Sequence, residues 1–336
     1  MSRNRFLFII GTVVALIVLT VVLGRNDVAP ATVAASMLAT TLRFATPITL
    51  GALAGLFCER SGVVNIAIEG MMLAAAFGAW LAAALTQNLG VGIAAGIMTG
   101  MLMGLLHAWL SVTFRVDQIV SGTVINILAI GLTGFLDTQM LTKLREQGLQ
   151  SAGLLPQLPI PILSELPVIG PVFRQQPIAW VSIILVIVAN FVLFRTRWGL
   201  RTRAVGENPR AADTVGINVR WMRYANVLIG AGIAGLGGAY FTLEAVPSFE
   251  TLITNGRGFI ALAAMIFGGW TPFGAWAAAL LFGAANALQI NAQQFGVPIS
   301  SQIIGMFPYL LTIIVLAGVI GRAIPPAADG VPYETE

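Results

Sequence analysis

Charge is scarce in this chain, and much of its basic share sits in one stretch. Seven of the 18 Lys and Arg residues fall between Arg195 and Arg223 (RTRWGLRTRAVGENPRAADTVGINVRWMR), opposed only by Glu207 and Asp213. The rest is mostly apolar. Hydrophobic residues make up 57% and charged residues 10%, against about 25% charged in soluble domains, and the mean hydropathy is +0.88. These values describe a polytopic membrane protein, and its apolar segments, counted in order along the chain, give an all-α fold of about ten spans. A concentrated basic segment in such a chain belongs on the cytoplasmic side and orients the spans around it. Its centre predicts a short helix from Pro209 to Val215. Asn208 can cap the first free amides, Pro209 suits the first helical position, and Gly216 can take the left-handed closing conformation. The stretch reads either as a loop that only sets orientation or, because of that capped helix, as a docking element for a soluble partner.

The other segments follow in order. Arg3 and Arg5 precede an apolar run from Phe6 to Gly24, read as a retained first span with a cytoplasmic N-terminus rather than a cleaved signal. The second span, Thr32 to Phe57, is interrupted by Arg43 and Pro47. The third covers Val63 to Leu85, the fourth Val91 to Phe114 and the fifth Gln118 to Leu136. The segment from Asp137 to Gln176 is proline-rich and too polar to span. The count places it outside the cytoplasm, as an ordered surface. The sixth span, Pro177 to Phe194, leads to the basic loop. The seventh, Tyr224 to Ala245, carries GAGIAGLGG (Gly230 to Gly238), suited to close helix contact. The eighth, Arg257 to Trp270, is short for a full crossing and reads as a half-helix or as a helix that begins deeper in the protein. The ninth runs from Phe273 to Gln289 and the tenth from Ile299 to Ile320. The remaining tail reads as disordered.

The expected organisation is one transmembrane domain. Residues 1–194 form the first half, with its external segment 137–176. Residues 195–223 form the cytoplasmic loop, 224–322 the second half and 323–336 a cytoplasmic tail. Two halves of about five spans each are inverted relative to one another, and NIAIEGMMLAAAFGAW near Asn65 faintly echoes FIALAAMIFGGWTPFGAW near Phe259.

Chemistry is excluded by what is missing. The sequence has no phosphate-binding G-x-x-x-x-G-K loop, no H-E-x-x-H motif and no nucleophile elbow. Its single cysteine, Cys58, cannot form an internal disulfide. His107, the only histidine, reads as a packed residue with a hydrogen-bond partner. No catalytic or metal site is expected. Polar groups at membrane depth are the candidates for a solute pathway: Asn65 and Glu69, four apart on one helix face, with Asn126, Glu244 and Asn286. They can equally hold helices together by hydrogen bonds. Phe249, Phe259, Phe267 and Trp270 can stack on a planar ring or serve as packing. The basic excess lies where a cytoplasmic loop is expected, so no nucleic-acid partner is implied.

Three blocks carry a family resemblance. RAVGENPRAADTVGI (203–217) resembles the cytoplasmic coupling segment of the branched-chain amino acid, ribose and nucleoside group of ABC-importer permeases. ERSGVVNIAIEGMM (59–72) and GRGFIALAAMIFGGWTPFGAW (256–276) resemble the early and late signatures of the same group, the former in its nucleoside-type branch. The resemblance implies that Gly206, Glu207, Asn208, Pro209, Arg210, Ala211, Ala212 and Gly216 couple the chain to a cytoplasmic ABC ATPase. That ATPase would use ATP and Mg, with no cofactor bound by this chain. It also implies a second permease subunit, a non-identical homologue, and an extracytoplasmic solute-binding protein. The setting would be a bacterial or archaeal inner membrane. Nucleosides are the expected solutes, with ribose-like sugars or riboflavin as alternatives. An ion-gradient-driven secondary transporter is the competing class.

Overall fold

The computed structural model describes residues 30–146, 149, 151, 153–166, 169–294, 306 and 324–334. The expected first span lies outside the described residues, as does the tenth apart from Met306. Among the described residues, seven helices are long and apolar enough to cross a membrane.

Helix α1 covers Pro30–Glu59, α2 Ile68–Thr86, and α3 Leu89–Ala108, which continues as a π-helix over Trp109–Thr113. Helix α4 covers Gln118–Glu146 and α5 Pro177–Arg195. The basic stretch holds α6, Arg197–Glu207, and α7, Pro209–Thr214. Helix α8 covers Val219–Tyr240 and runs into a π-helix, Phe241–Ala245. Helix α9 covers Arg257–Phe267 and α10 Pro272–Gln294.

Several boundaries differ from the sequence expectation. Arg43 and Pro47 do not interrupt α1, and Arg43 is exposed. Proline removes one backbone donor, and a transmembrane helix tolerates that loss where its neighbours hold it. Helix α4 runs ten residues beyond Leu136 because the polar end, DTQMLTKLRE, consists largely of good helix formers. Helix α6 was not anticipated. Helix α8 begins at Val219, so Arg223, expected in the loop, is helical and 1% exposed. The third span loses its first turn, because residues 63–67 are not helical.

The chain divides into two compact units. Of the described residues, the first comprises 30–45, 157–166, 169–179, 280–294 and 306. In it Ser36 Oγ donates to Asn291 Oδ1 at 2.7 Å. Two short antiparallel strands, β1 (Leu158–Pro159) and β2 (Arg174–Gln175), pair Leu158 with Gln175. Arg174 donates from Nε and Nη2 to Ser164 O.

Of the described residues, the second unit comprises 46–146, 149, 151, 153–156, 180–279 and 324–334. Helix α8 sits at its centre, and its glycines explain how. A Cβ at Gly230 would meet Ala54 O of α1, one at Gly235 would meet Gly96 O of α3, and one at Gly238 would collide with Met72 O of α2. Small residues let three backbones approach one helix, which gives van der Waals packing where lipid supplies no hydrophobic drive. Helices α3 and α4 keep an apolar outer face, with Met98, Leu102, Ile119, Val124 and Ile127 exposed.

Candidate functional site

The second unit is organised around a break in the helical backbone. Helix α1 ends at Glu59, and residues 63–67 run non-helically before α2 starts at Ile68. Non-helical backbone in a membrane protein must find partners inside the protein. Helices α3 and α4 supply them. Gln118 Oε1 accepts from Val64 N at 2.6 Å, and Asn126 Nδ2 donates to Ile66 O at 3.0 Å. Asn126 Oδ1 accepts from Gly70 N at 2.7 Å. His107 Nε2 lies 3.0 Å from Val64 O and Nδ1 lies 3.1 Å from Ser121 Oγ. A carbonyl only accepts, so Nε2 carries the hydrogen and Nδ1 accepts from the serine. His107 is thus the packed, hydrogen-bonded residue that the sequence suggested. Gln118 and Ser121 were missed, although Gln118, Gly122 and Asn126 recur every four residues along one face of α4.

Helix α9 has 11 residues, about half the length needed to cross a bilayer core. Both its ends are tied to this break. At its amino end, Glu69 Oε1 accepts from Thr254 Oγ1 (2.6 Å) and Gly256 N (2.8 Å), and Oε2 accepts from Gly258 N (2.6 Å). The carboxylate satisfies free helix amides and faces the positive end of the helix dipole. Beyond its carboxyl end, Trp270 Nε1 donates to Glu59 Oε2 at 2.6 Å, and Arg60 donates to Trp270 O from Nε and Nη2.

Of the other pathway candidates, Asn65 is fully buried and donates to Cys58 Sγ at 3.3 Å. Glu244 is buried in the π-helix after α8, and Phe259 is exposed on α9. Asn286 lies in the first unit, where Nδ2 donates to Phe282 O. The structure therefore brings Asn65, Glu69 and Asn126 to one place. Phe249 is buried edge-on against Phe77 at 5.1 Å.

The basic stretch forms the other candidate surface. Thr196 caps α6 by accepting from Gly199 N. Helix α6 is fastened to α8 through Asn226, whose Oδ1 accepts from Trp198 Nε1 and whose Nδ2 donates to Thr202 Oγ1 and Met222 O. Helix α7 is built as its sequence predicts. Asn208 Oδ1 accepts from Ala211 N at 3.0 Å, Pro209 opens the helix, and Gly216 follows at φ +82°. Ala212 faces inward and is buried. Arg210, Ala211, Asp213, Thr214 and Val215 are exposed, Val215 at 74%. Gly206 is buried and Glu207 is exposed at the end of α6.

The tail contradicts the expectation of disorder. Residues 324–334 lie as a strap against this surface. Ala328 N donates to Gly206 O at 2.9 Å, and Ala327 N donates to Glu207 Oε2 at 3.2 Å. Arg223 Nη1 donates to Val331 O at 2.9 Å, and Arg115 pairs with Glu334 at 2.8 Å. Tyr333 packs with Val205, Ala212, Val219 and Met222. Asn208–Arg210 and Val331–Glu334 line a common cavity of ≈ 420 Å³. Burial pushes the Asp329 carboxyl up to about 7, against the downward pull of the neighbouring Glu59 carboxyl and of the Arg223 guanidinium. Composition concealed the strap, because three prolines and a charged ending resemble a free tail. In fact Pro326, Ala328 and Tyr333 are buried.

The chain is similar to known permeases over most of its length. It is 41% identical over 308 residues to the nucleoside ABC transporter permease protein NupC of Lactococcus lactis, covering 88% of this chain and 96% of that one. It is 41% identical over 304 residues to the guanosine ABC transporter permease protein NupQ of Bacillus subtilis, covering 87% and 94%. A Haloferax volcanii protein provisionally named a glucose ABC transporter permease is 34% identical over 312 residues, covering 86% and 93%. Residues 37–316 match the family described as the branched-chain amino acid transport system permease component. On this match and these identities, the chain belongs to that family of permease components.

Proposed function

We infer that this chain is the membrane-spanning permease subunit of an ATP-driven ABC importer for nucleosides. The 41% identity to two permeases named for nucleoside and guanosine transport, over nearly nine-tenths of the chain, carries the substrate assignment. The capped helix α7, with Arg210 and Val215 exposed on it, supports a docking role for residues 206–216 on a cytoplasmic ATPase. The ATPase would supply the ATP and Mg chemistry, and this chain performs no bond-making step. A second, non-identical permease and an extracytoplasmic binding protein complete the importer. About ten spans in two inverted halves, with both termini cytoplasmic, agree with the basic loop and with the break at 63–67 facing the half-helix α9.

Asn65, Glu69 and Asn126 serve chiefly to hold the break and α9 together, since Glu69 already accepts three hydrogen bonds and Asn126 bonds on both of its polar atoms. That engagement weighs against an ion-coupled carboxylate at Glu69.

The test is uptake of labelled guanosine and adenosine in cells with the intact transporter and in cells lacking only this chain, with unlabelled nucleosides, ribose and riboflavin as competitors. Loss of uptake on deletion, competed by nucleosides alone, is the expected result. Competition by ribose or riboflavin instead moves the solute to that branch. Uptake abolished by collapsing the ion gradient while ATP is maintained would overturn the ATP-driven reading.

A further inference from the structure

Helix α7 is poorly built to pass on force by itself. It has six residues and buries only Ala212, and a helix of that length has little stability of its own. It is joined to its neighbours at Asn208 and at Gly216, and an added Cβ at Gly216 would find nothing within 4 Å. A push on α7 would be dissipated at these joints unless something else tied the helix to the transmembrane bundle.

The strap provides that tie. The Tyr333 ring sits among Ala212 of α7, Val205 of α6, and Val219 and Met222 of α8. Four residues earlier Asp329 lies beside the Glu59 carboxyl at the end of α1, and a Cβ at Gly62, three residues past that end, would sit 3.0 Å from the strap's Ala328 O. Glu59 in turn accepts from Trp270, in the turn between α9 and α10. Pro325, Pro326 and Pro332 restrict the strap's backbone. One contiguous path therefore runs from α7 through Tyr333, Asp329, Glu59 and Trp270 to the half-helix, whose far end is held by Glu69. Such a packed and hydrogen-bonded network is what energetic coupling between separated sites needs.

We propose that residues 324–334 act as a transmission strap, carrying displacement of α7 to the inner end of α1 and to α9, so that coupled transport depends on Tyr333 and Asp329 as positioning residues. This rests on the ATP-driven reading above.

The test uses the whole importer, co-expressed and reconstituted in proteoliposomes, with Tyr333→Ala, Tyr333→Phe and a chain ending at Ala323. Co-purified ATPase, ATP hydrolysis and labelled guanosine uptake are measured together. Tyr333→Ala and the shortened chain are expected to keep the ATPase and its hydrolysis. Solute moved per ATP should fall by at least about fivefold, the lower end of typical coupling between sites. Tyr333→Phe keeps the ring and should retain the wild-type ratio. An unchanged ratio in both Tyr333→Ala and the shortened chain overturns the proposal. Loss of the ATPase from the shortened chain also overturns it, because the strap would then be a docking element. Wild-type protein that neither retains an ATPase nor supports ATP-dependent uptake refutes the underlying reading instead.

Discussion

Glu69 Oε2 accepts from the Gly258 amide at 2.6 Å, so a carboxylate in the first turn of α2 closes the amino end of α9. Glu69→Gln leaves one oxygen to serve three donors and turns an amide nitrogen towards them. A buried unsatisfied donor costs about 1–3 kcal/mol, and the melting temperature in detergent should fall accordingly. A drop in uptake with an unchanged melting temperature would instead make Glu69 a pathway residue.

Gly258→Ala should be worse than Glu69→Gln. Its Cβ would sit 2.6 Å from the backbone N and Cα of Glu69, where no flexible side chain can yield. Helix α9 would have to move, and overpacking of this kind costs about 1–3 kcal/mol or more. Expression level and thermal stability read the outcome directly.

Asn126→Leu removes partners from both Ile66 O and Gly70 N, while His107→Phe removes one from Val64 O. Each orphaned buried backbone group costs about 1–3 kcal/mol, so Asn126→Leu should destabilise more than His107→Phe. Chemical denaturation midpoints rank the two.

Asn208→Ala removes the cap of α7, a loss of about 1 kcal/mol. Glu207→Ala and Arg210→Ala are expected to insert and express normally while lowering uptake relative to ATP hydrolysis. Normal coupling in both would remove α7 from the docking surface.

The strap should respond to pH. Burial raises the folded Asp329 carboxyl to about 7, with Glu59 of α1 and Arg223 of α8 facing it. A raised carboxyl favours the protonated folded form. Its contribution is therefore full below the ordinary carboxyl range, shrinks as pH rises, and is lost once pH passes about 7. Protection factors of the amides in residues 324–334, which cancel the intrinsic pH dependence of exchange, should be higher at about pH 5.5 than at about pH 8.5, and Asp329→Asn should flatten the difference.

Much of the site was readable where local chemistry decides it. Asn208, Pro209 and Gly216 specify α7 within a few residues of chain, and the structure ends that helix at Thr214, one residue before the expected Val215. The shortness of α9 was also visible, because Thr271 and Pro272 close its apolar run early. The break at 63–67 was not visible, since VVNIA is as apolar as the span it precedes. Only the partners on Gln118, Asn126 and His107, between 40 and 65 residues away in sequence, make a non-helical backbone affordable there.

By itself, then, the sequence determined which segments are apolar enough to span and where basic charge gathers. It also determined that a capped helix stands in the basic loop. These are properties of single segments, set by side-chain transfer energies and backbone preferences within a few residues. The tertiary structure decided that Glu69 caps a distant half-helix, that Arg223 is buried in α8, and that 324–334 docks rather than floats. Each depends on whether a buried polar group finds its partner across the fold, and no local pattern encodes that.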